Sequence, residues 1–196
     1  MIFKLPNYSV TALIISSLLM ASCASNAPAS KKHNGAILTL CKGSKTSNAP
    51  TQNSNGRIKN YEPIQTINRV QVITNPVVGQ SCLSSGFGRR KGGAGSHHKG
   101  IDIATRTPSP ILAAADGKIT FIGREQNFGR YIEILHANKV STRYAHLSEF
   151  SKTLKKGASI KAGTIIGKTG KSGNATGIHL HYEILIKGKQ RNPLNF

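Results

Sequence analysis

The stretch Gly177-Ile178-His179-Leu180-His181-Tyr182-Glu183-Ile184-Leu185 alternates apolar or aromatic side chains with polar ones at every second position. A period of two is that of a β-strand, which turns successive side chains to opposite faces. Leu180 and Tyr182 then face one way, and His179, His181 and Glu183 the other. Outward from this strand, glycines recur at short intervals between brief β-branched runs from Thr74 to Phe196, and no helical periodicity of useful length appears. Such a pattern predicts an all-β domain of antiparallel strands and short hairpins. Residues 131–136 and 140–145 flank the tight turn Ala137-Asn138-Lys139. Residues 111–115 and 118–122 flank Asp116-Gly117, the strongest short hairpin signal in the chain. Lys156-Gly157 and Lys161-Ala162-Gly163 suggest further successive hairpins.

Upstream the composition changes. Residues 24–73 are rich in Ser, Asn, Thr, Lys and Pro, with Glu62 as the only acidic residue. Residues 23–73 therefore read as a disordered basic tether, almost without apolar side chains from Gly43 to Asn60. Within it, residues 36–40 could form a short strand, but nothing nearby supports a second domain. Residues 1–22 have the layout of a secretory signal: a basic start at Lys4, an apolar stretch from Val10 to Ala21, and a small residue before Cys23. The apolar stretch is short for a membrane span. Leu19-Met20-Ala21-Ser22-Cys23 resembles a bacterial lipoprotein cleavage box, with Met20 departing from the usual Leu. That resemblance implies lipid attachment at Cys23 and a membrane-anchored, exported protein. Ala24 carries no signal for inner-membrane retention, so an outer membrane is expected in a Gram-negative cell.

The formal net charge is +20, and of the charged side chains a signal cleavage removes only Lys4. Long-range attraction to anionic partners follows. Export makes those partners wall polymers and lipid head groups, with no nucleic acid. Apart from Cys23 the chain has Cys41 and Cys82, whose spacing makes a poor zinc site; an exported location would let a disulfide between them persist, and separate burial is equally compatible.

Four of the seven histidines fall in contexts that suggest a metal. His179 and His181 share a strand face, suited to two zinc ligands or to one ligand beside a base. In His98-Lys99-Gly100-Ile101-Asp102, positions four apart on a straight strand lie about 13 Å from each other. Gly100 permits a turn that brings His98 back toward Asp102. Ile101 and Ile103 bracket Asp102, so its carboxylate faces away from them and needs a partner or a metal. One His, one Asp and a second His leave a fourth position for water, as a catalytic zinc site does. Tyr144-Ala145-His146-Leu147-Ser148 ends a strand with a further, unassigned imidazole. Glu183, on the face of His179 and His181, either accepts a hydrogen bond from a ligand or pairs with a lysine. His97 is expected in solvent, His136 in a structural role, and His33 in the tether.

The ordered motifs His98-x-Gly-x-Asp102, Tyr144-Ala-His146-Leu-Ser148 and His179-Leu-His181 resemble those of lysostaphin-type (LytM-like) zinc endopeptidases. The likeness runs from about Pro76 to the end, including residues 85–89, Ala114-Ala-Asp-Gly117 and residues 173–183. It departs at Ile178, where the family often has Pro. The resemblance implies that His98, Asp102 and His181 bind Zn²⁺, and that His146 and His179 act on water and the scissile carbonyl from off the metal. It leaves open which of the two is the general base. The combined expectation is an all-β domain over residues 74–196, with strands framing a groove, that cuts peptide bonds in peptidoglycan. Some relatives lack the ligands and only activate other wall hydrolases; a non-catalytic wall-binding lipoprotein is thus the alternative reading. The bond cut and any regulator protein are not specified by the sequence.

Overall fold

The computed structural model describes residues 37–44, 48–90 and 97–195. The expected signal and lipid site, residues 1–22 and Cys23, lie outside the described residues, as does His33. Fifteen strands form among the described residues, and a single helical turn at Ala137–Lys139. In order they are β1 (Ile64–Ile67), β2 (Val70–Ile73), β3 (Cys82–Ser85), β4 (Gly88–Arg89), β5 (His97–His98), β6 (Ile101–Ala104), β7 (Pro110–Leu112) and β8 (Gly117–Glu125). There follow β9 (Gly129–Leu135), β10 (Val140–Leu147), β11 (Glu149–Phe150), β12 (Ser159–Ile160), β13 (Ile165–Lys168), β14 (His179–Ile186) and β15 (Lys189–Arg191).

The main sheet has the order β12-β8-β9-β10-β14-β6-β3, with β15 also paired to β14. Every pairing between these strands is antiparallel. The strand from which the fold was read is therefore central, between β6 and β10. Leu180, Tyr182 and Ile184 are fully buried on its core face, against Ile101, Ile103, Tyr144, Ile132 and Ile134. Each large side chain buried this way contributes about 1.5–3 kcal/mol. A slip of one residue would exchange that face for His179, His181 and Glu183, so burial fixes the register. That register sets His181 opposite both Asp102 on β6 and Ala145 on β10.

The hairpin at residues 137–139 forms as expected, with Ser141 opposite Leu135. The hairpin at Asp116-Gly117 does not. The segment 113–115 is buried and sends its backbone bonds elsewhere: Ala114 O to Ile73 N, Ala113 N to Thr164 O, Ala113 O to Gly163 N. β7 pairs with β13, while β8 pairs with β9 and β12. Asp116 turns the chain from one sheet to the next, accepting from Ala162 N and Lys161 Nζ, both at 2.8 Å. The hairpins expected near Lys156 and Lys161 are likewise replaced, because β12 and β13 go to different sheets.

The tether expected through residue 73 is also corrected. Residues 64–73 form the β1–β2 hairpin, with Ile67, Val70, Val72 and Ile73 in the core. Leu38 and Ile58 are buried too, and Cys41 is disulfide-bonded to Cys82. A few apolar anchors and one covalent link hold a stretch whose composition alone reads as free chain.

Candidate metal centre

Three strands deliver the site. β5 and the bend after it supply His98, β6 supplies Asp102 and β14 supplies His181. His98 Nε2 lies 3.1 Å from Asp102 Oδ1 and 3.1 Å from His181 Nδ1, and His181 Nδ1 lies 2.9 Å from Asp102 Oδ1. Gly100 enables this approach for a reason different from the expected one. Its backbone needs no left-handed φ; a Cβ there would collide with the Tyr182 carbonyl of β14, so glycine lets the two strands close.

His146 reaches the same place through a β-bulge. Between Tyr144 and Leu147 the register on β9 moves only from Ile132 to Arg130, leaving one extra residue on β10. His146 takes it up at φ 63°, a left-handed backbone uncommon outside glycine, held by its N–H donating to Phe128 O at 2.8 Å. Its ring lies 4.8 Å from that of His179 and 5.8 Å from that of His181, centre to centre. His179, at the start of β14, puts Nε2 3.7 Å from Asp102 Oδ1.

All four imidazoles have their outward nitrogen on an acceptor. His98 Nδ1 faces Gly86 O at 2.5 Å and His181 Nε2 faces Glu183 Oε1 at 3.1 Å. His146 Nδ1 faces Ser172 O at 2.8 Å, and His179 Nδ1 faces Gly177 O at 2.9 Å. Carbonyl and carboxylate oxygens only accept, so each outward nitrogen carries its proton and donates. In the neutral rings the inward nitrogens are then lone pairs. Those of His98 and His181 converge with a carboxylate oxygen, a donor set that can hold a cation at its centre. Outer-nitrogen bonds of this kind fix tautomer and orientation in metal-binding histidines. The residues present fit a metal ion, and His98, Asp102 and His181 are the group among the described residues placed to hold one.

The electrostatics agree. Without a cation, burial raises the Asp102 carboxyl, but the imidazoles of His181 and His98 beside it overcome this and hold it far below the usual carboxylate range. Without a cation, burial opposes a charge on His181, yet Asp102 and Glu183 on its two nitrogens raise it to about 9. Burial and then the neighbouring His179 push His146 down to about 4, so it is neutral at pH 7.

Beyond Glu183, whose hydrogen bond to a candidate ligand was one of the two expectations, several supporting groups were not legible beforehand. Glu183 is fully buried, accepts from the candidate ligand His181, and pairs with Arg143 (Nη1 to Oε2, 2.9 Å), not a lysine. Arg143 also donates to Glu133 Oε2 at 2.8 Å and lies over the Phe128 ring, 4.9 Å from its centre. Glu133 and Arg143 fall opposite in the hairpin that the sequence predicts, a signal that could have found the pair. Arg90 Nη2 donates to Asp102 Oδ2 at 3.1 Å and to Ser85 Oγ at 2.8 Å, leaving Asp102 Oδ1 to face the centre. His97 is exposed, as expected. His136 is buried, bonded to Asp116 O and Thr142 Oγ1, a structural position.

The pattern of peptidase family M23 matches residues 96–193, half of the chain. The chain belongs to this family. Its segment is 46% identical over 98 residues to the DD-carboxypeptidase/endopeptidase Mpg of Neisseria meningitidis, covering 50% of this chain and 22% of that protein. It is 36% identical over 97 residues to the peptidoglycan DD-endopeptidase ShyA of Vibrio cholerae, covering 50% and 22%. The match thus spans about a fifth of the length of these curated relatives. Among solved structures, a zinc-containing peptidase from Vibrio cholerae aligns with a TM-score of 0.56 at 28% identity, covering 76% of this chain and 44% of that one. The catalytic domain of lysostaphin from Staphylococcus simulans aligns with a TM-score of 0.50 at 30% identity, covering 55% and 85%. The expected family and all-β fold are thereby borne out.

Proposed function

We propose that this M23 protein is a zinc-dependent endopeptidase that hydrolyses peptide bonds in the cross-links or stem peptides of peptidoglycan. The observation that carries the proposal is the convergence of His98 Nε2, Asp102 Oδ1 and His181 Nδ1 within 3.1 Å of one another, beside two further imidazoles. Two neutral nitrogens and one carboxylate with an open fourth position suit catalytic zinc. A zinc ion held there supplies Lewis acidity and a nucleophilic water at neutral pH. The chain's own residues do the rest. His146 Nε2 and His179 Nε2 lie off the ligand triangle. The one whose Nε2 is a free lone pair accepts a proton from the attacking water and passes a proton to the leaving amine, and the other, carrying a proton on Nε2, donates to the oxygen on which charge develops. The low proton affinity of His146 keeps it ready to accept at pH 7 and to release afterwards. Relatives named as peptidoglycan endopeptidases support the substrate class.

The same reading extends to the N terminus: residues 1–22 as a lipoprotein signal and Cys23 as the lipid site, anchoring the protein to a membrane facing the periplasm or wall. The experiment is elemental analysis of the purified protein together with mass spectrometry of wall fragments digested by it. One zinc per chain and cleaved peptide linkages are expected. Intact wall in the presence of a full zinc complement would defeat the endopeptidase reading.

A further inference from the structure

β3 is the last strand of the main sheet, so its outer edge offers unpaired backbone. Described residues of the segment upstream of β1 bond to that edge at several points. Leu83 N donates to Thr39 O at 2.8 Å, and Cys41 N to Leu83 O at 3.0 Å. Ser44 Oγ donates to Ser84 O at 3.1 Å. At the far end, Ser85 Oγ donates to Asn48 Oδ1 at 3.4 Å, and Asn48 Nδ2 donates to Gly86 O. The Cys41–Cys82 disulfide ties the beginning of the run.

The last acceptor in this series is shared with the metal centre. Gly86 O is the oxygen that takes the His98 Nδ1 proton. Ser85 Oγ lies 3.5 Å from the same nitrogen and accepts from Arg90, which holds Asp102 Oδ2. Two of the three candidate ligands are thus steered through Ser85-Gly86, and Asn48 closes on that dipeptide from outside. A Cβ on Gly86 would collide with the Asn48 carbonyl oxygen, so the contact requires glycine. Between Leu38 and Ile58, both buried, Leu40 is partly buried beside Cys41, and beyond it the sequence to Arg57 has no apolar side chain larger than Pro50.

We propose that this disulfide-clipped segment is a working part of the metal site. The Cys41–Cys82 bond keeps Asn48 against β3, and Asn48 is a positioning residue for the carbonyl that sets the orientation and tautomer of His98. The proposal rests on His98, Asp102 and His181 being metal ligands. Zinc affinity is measured by chelator competition on the full chain, at a temperature where every variant is folded, alongside the visible spectrum of the cobalt-loaded protein and thermal melting. Asn48→Asp keeps the shape but removes the donor; Cys41→Ser/Cys82→Ser removes the clip. Both are expected to bind zinc about tenfold more weakly and to alter the cobalt spectrum. His136→Phe, which disrupts a buried network away from the metal, should lower the melting temperature without changing either. Unchanged affinity and spectrum in Asn48→Asp and the double variant, with wild type binding zinc, overturns the proposal. A wild type that binds no zinc removes the ligand reading itself. Should the double variant not fold, Asn48→Asp decides alone.

Discussion

His179 and His181 share one face of β14, and at the level of single residues their distances to Asp102 separate them. His181 Nδ1 is 2.9 Å from Asp102 Oδ1 and 3.1 Å from His98 Nε2, whereas His179 Nε2 stands 3.7 Å from the carboxylate. His181→Ala is therefore expected to lose metal and activity together. His179→Ala and His146→Ala should keep the metal and lose about 10²–10⁴-fold in rate. Zinc content and wall hydrolysis, measured in parallel on the three variants, check this; zinc lost from His179→Ala but kept by His181→Ala reverses the roles. The sequence exposed the five side chains because each sits in a short motif with its own periodicity. It did not expose what orients them. Gly86 O, Ser172 O and Gly177 O are main-chain atoms, which any residue supplies, and no residue type marks them.

At the scale of elements, strands whose two faces differ in polarity were readable, and connections were not. β14 and the β9–β10 hairpin followed from alternation and a tight turn. Asp116-Gly117 misled because a turn signal states that the chain bends, not which strand receives the next one. The choice went to the buried backbone of residues 113–115, whose partners lie about fifty residues away in the case of Thr164. His136, next to the turn of the β9–β10 hairpin, gives this element a pH dependence. Burial pushes its imidazole below the ordinary value of 6.5, outweighing the Asp116 carbonyl that opposes the shift. The unfolded chain takes up that proton first, so the contribution to stability is complete above pH 6.5 and is lost as the pH falls. Melting temperature should drop between pH 7 and pH 5, and His136→Gln should drop less steeply over the same window.

For the whole molecule, the layout of residues 1–22 gave export as an expectation and the charge gave anionic partners, while composition misplaced the edge of the folded unit. Polar residues 48–60 look free in sequence, since a disulfide and a handful of hydrogen bonds leave no periodic trace. The proposed anchor is tested at this scale: Cys23→Ser should shift the protein from the detergent phase of a cell extract to the aqueous phase, or leave an unprocessed form. Equal partitioning of both forms favours a plain signal peptide. The candidate ligands also have a topological consequence. His98 and His181 are 83 residues apart, and an ion between them cross-links β5, β6 and β14 as a clasp closes a loop of chain. Such a clasp grips only the folded state, so an ion at a hundred times its dissociation constant adds about 2.7 kcal/mol of stability. Metal supply then becomes a control on lifetime: the stripped protein should melt earlier and be digested faster by an added protease than the loaded one, before any question of catalysis arises.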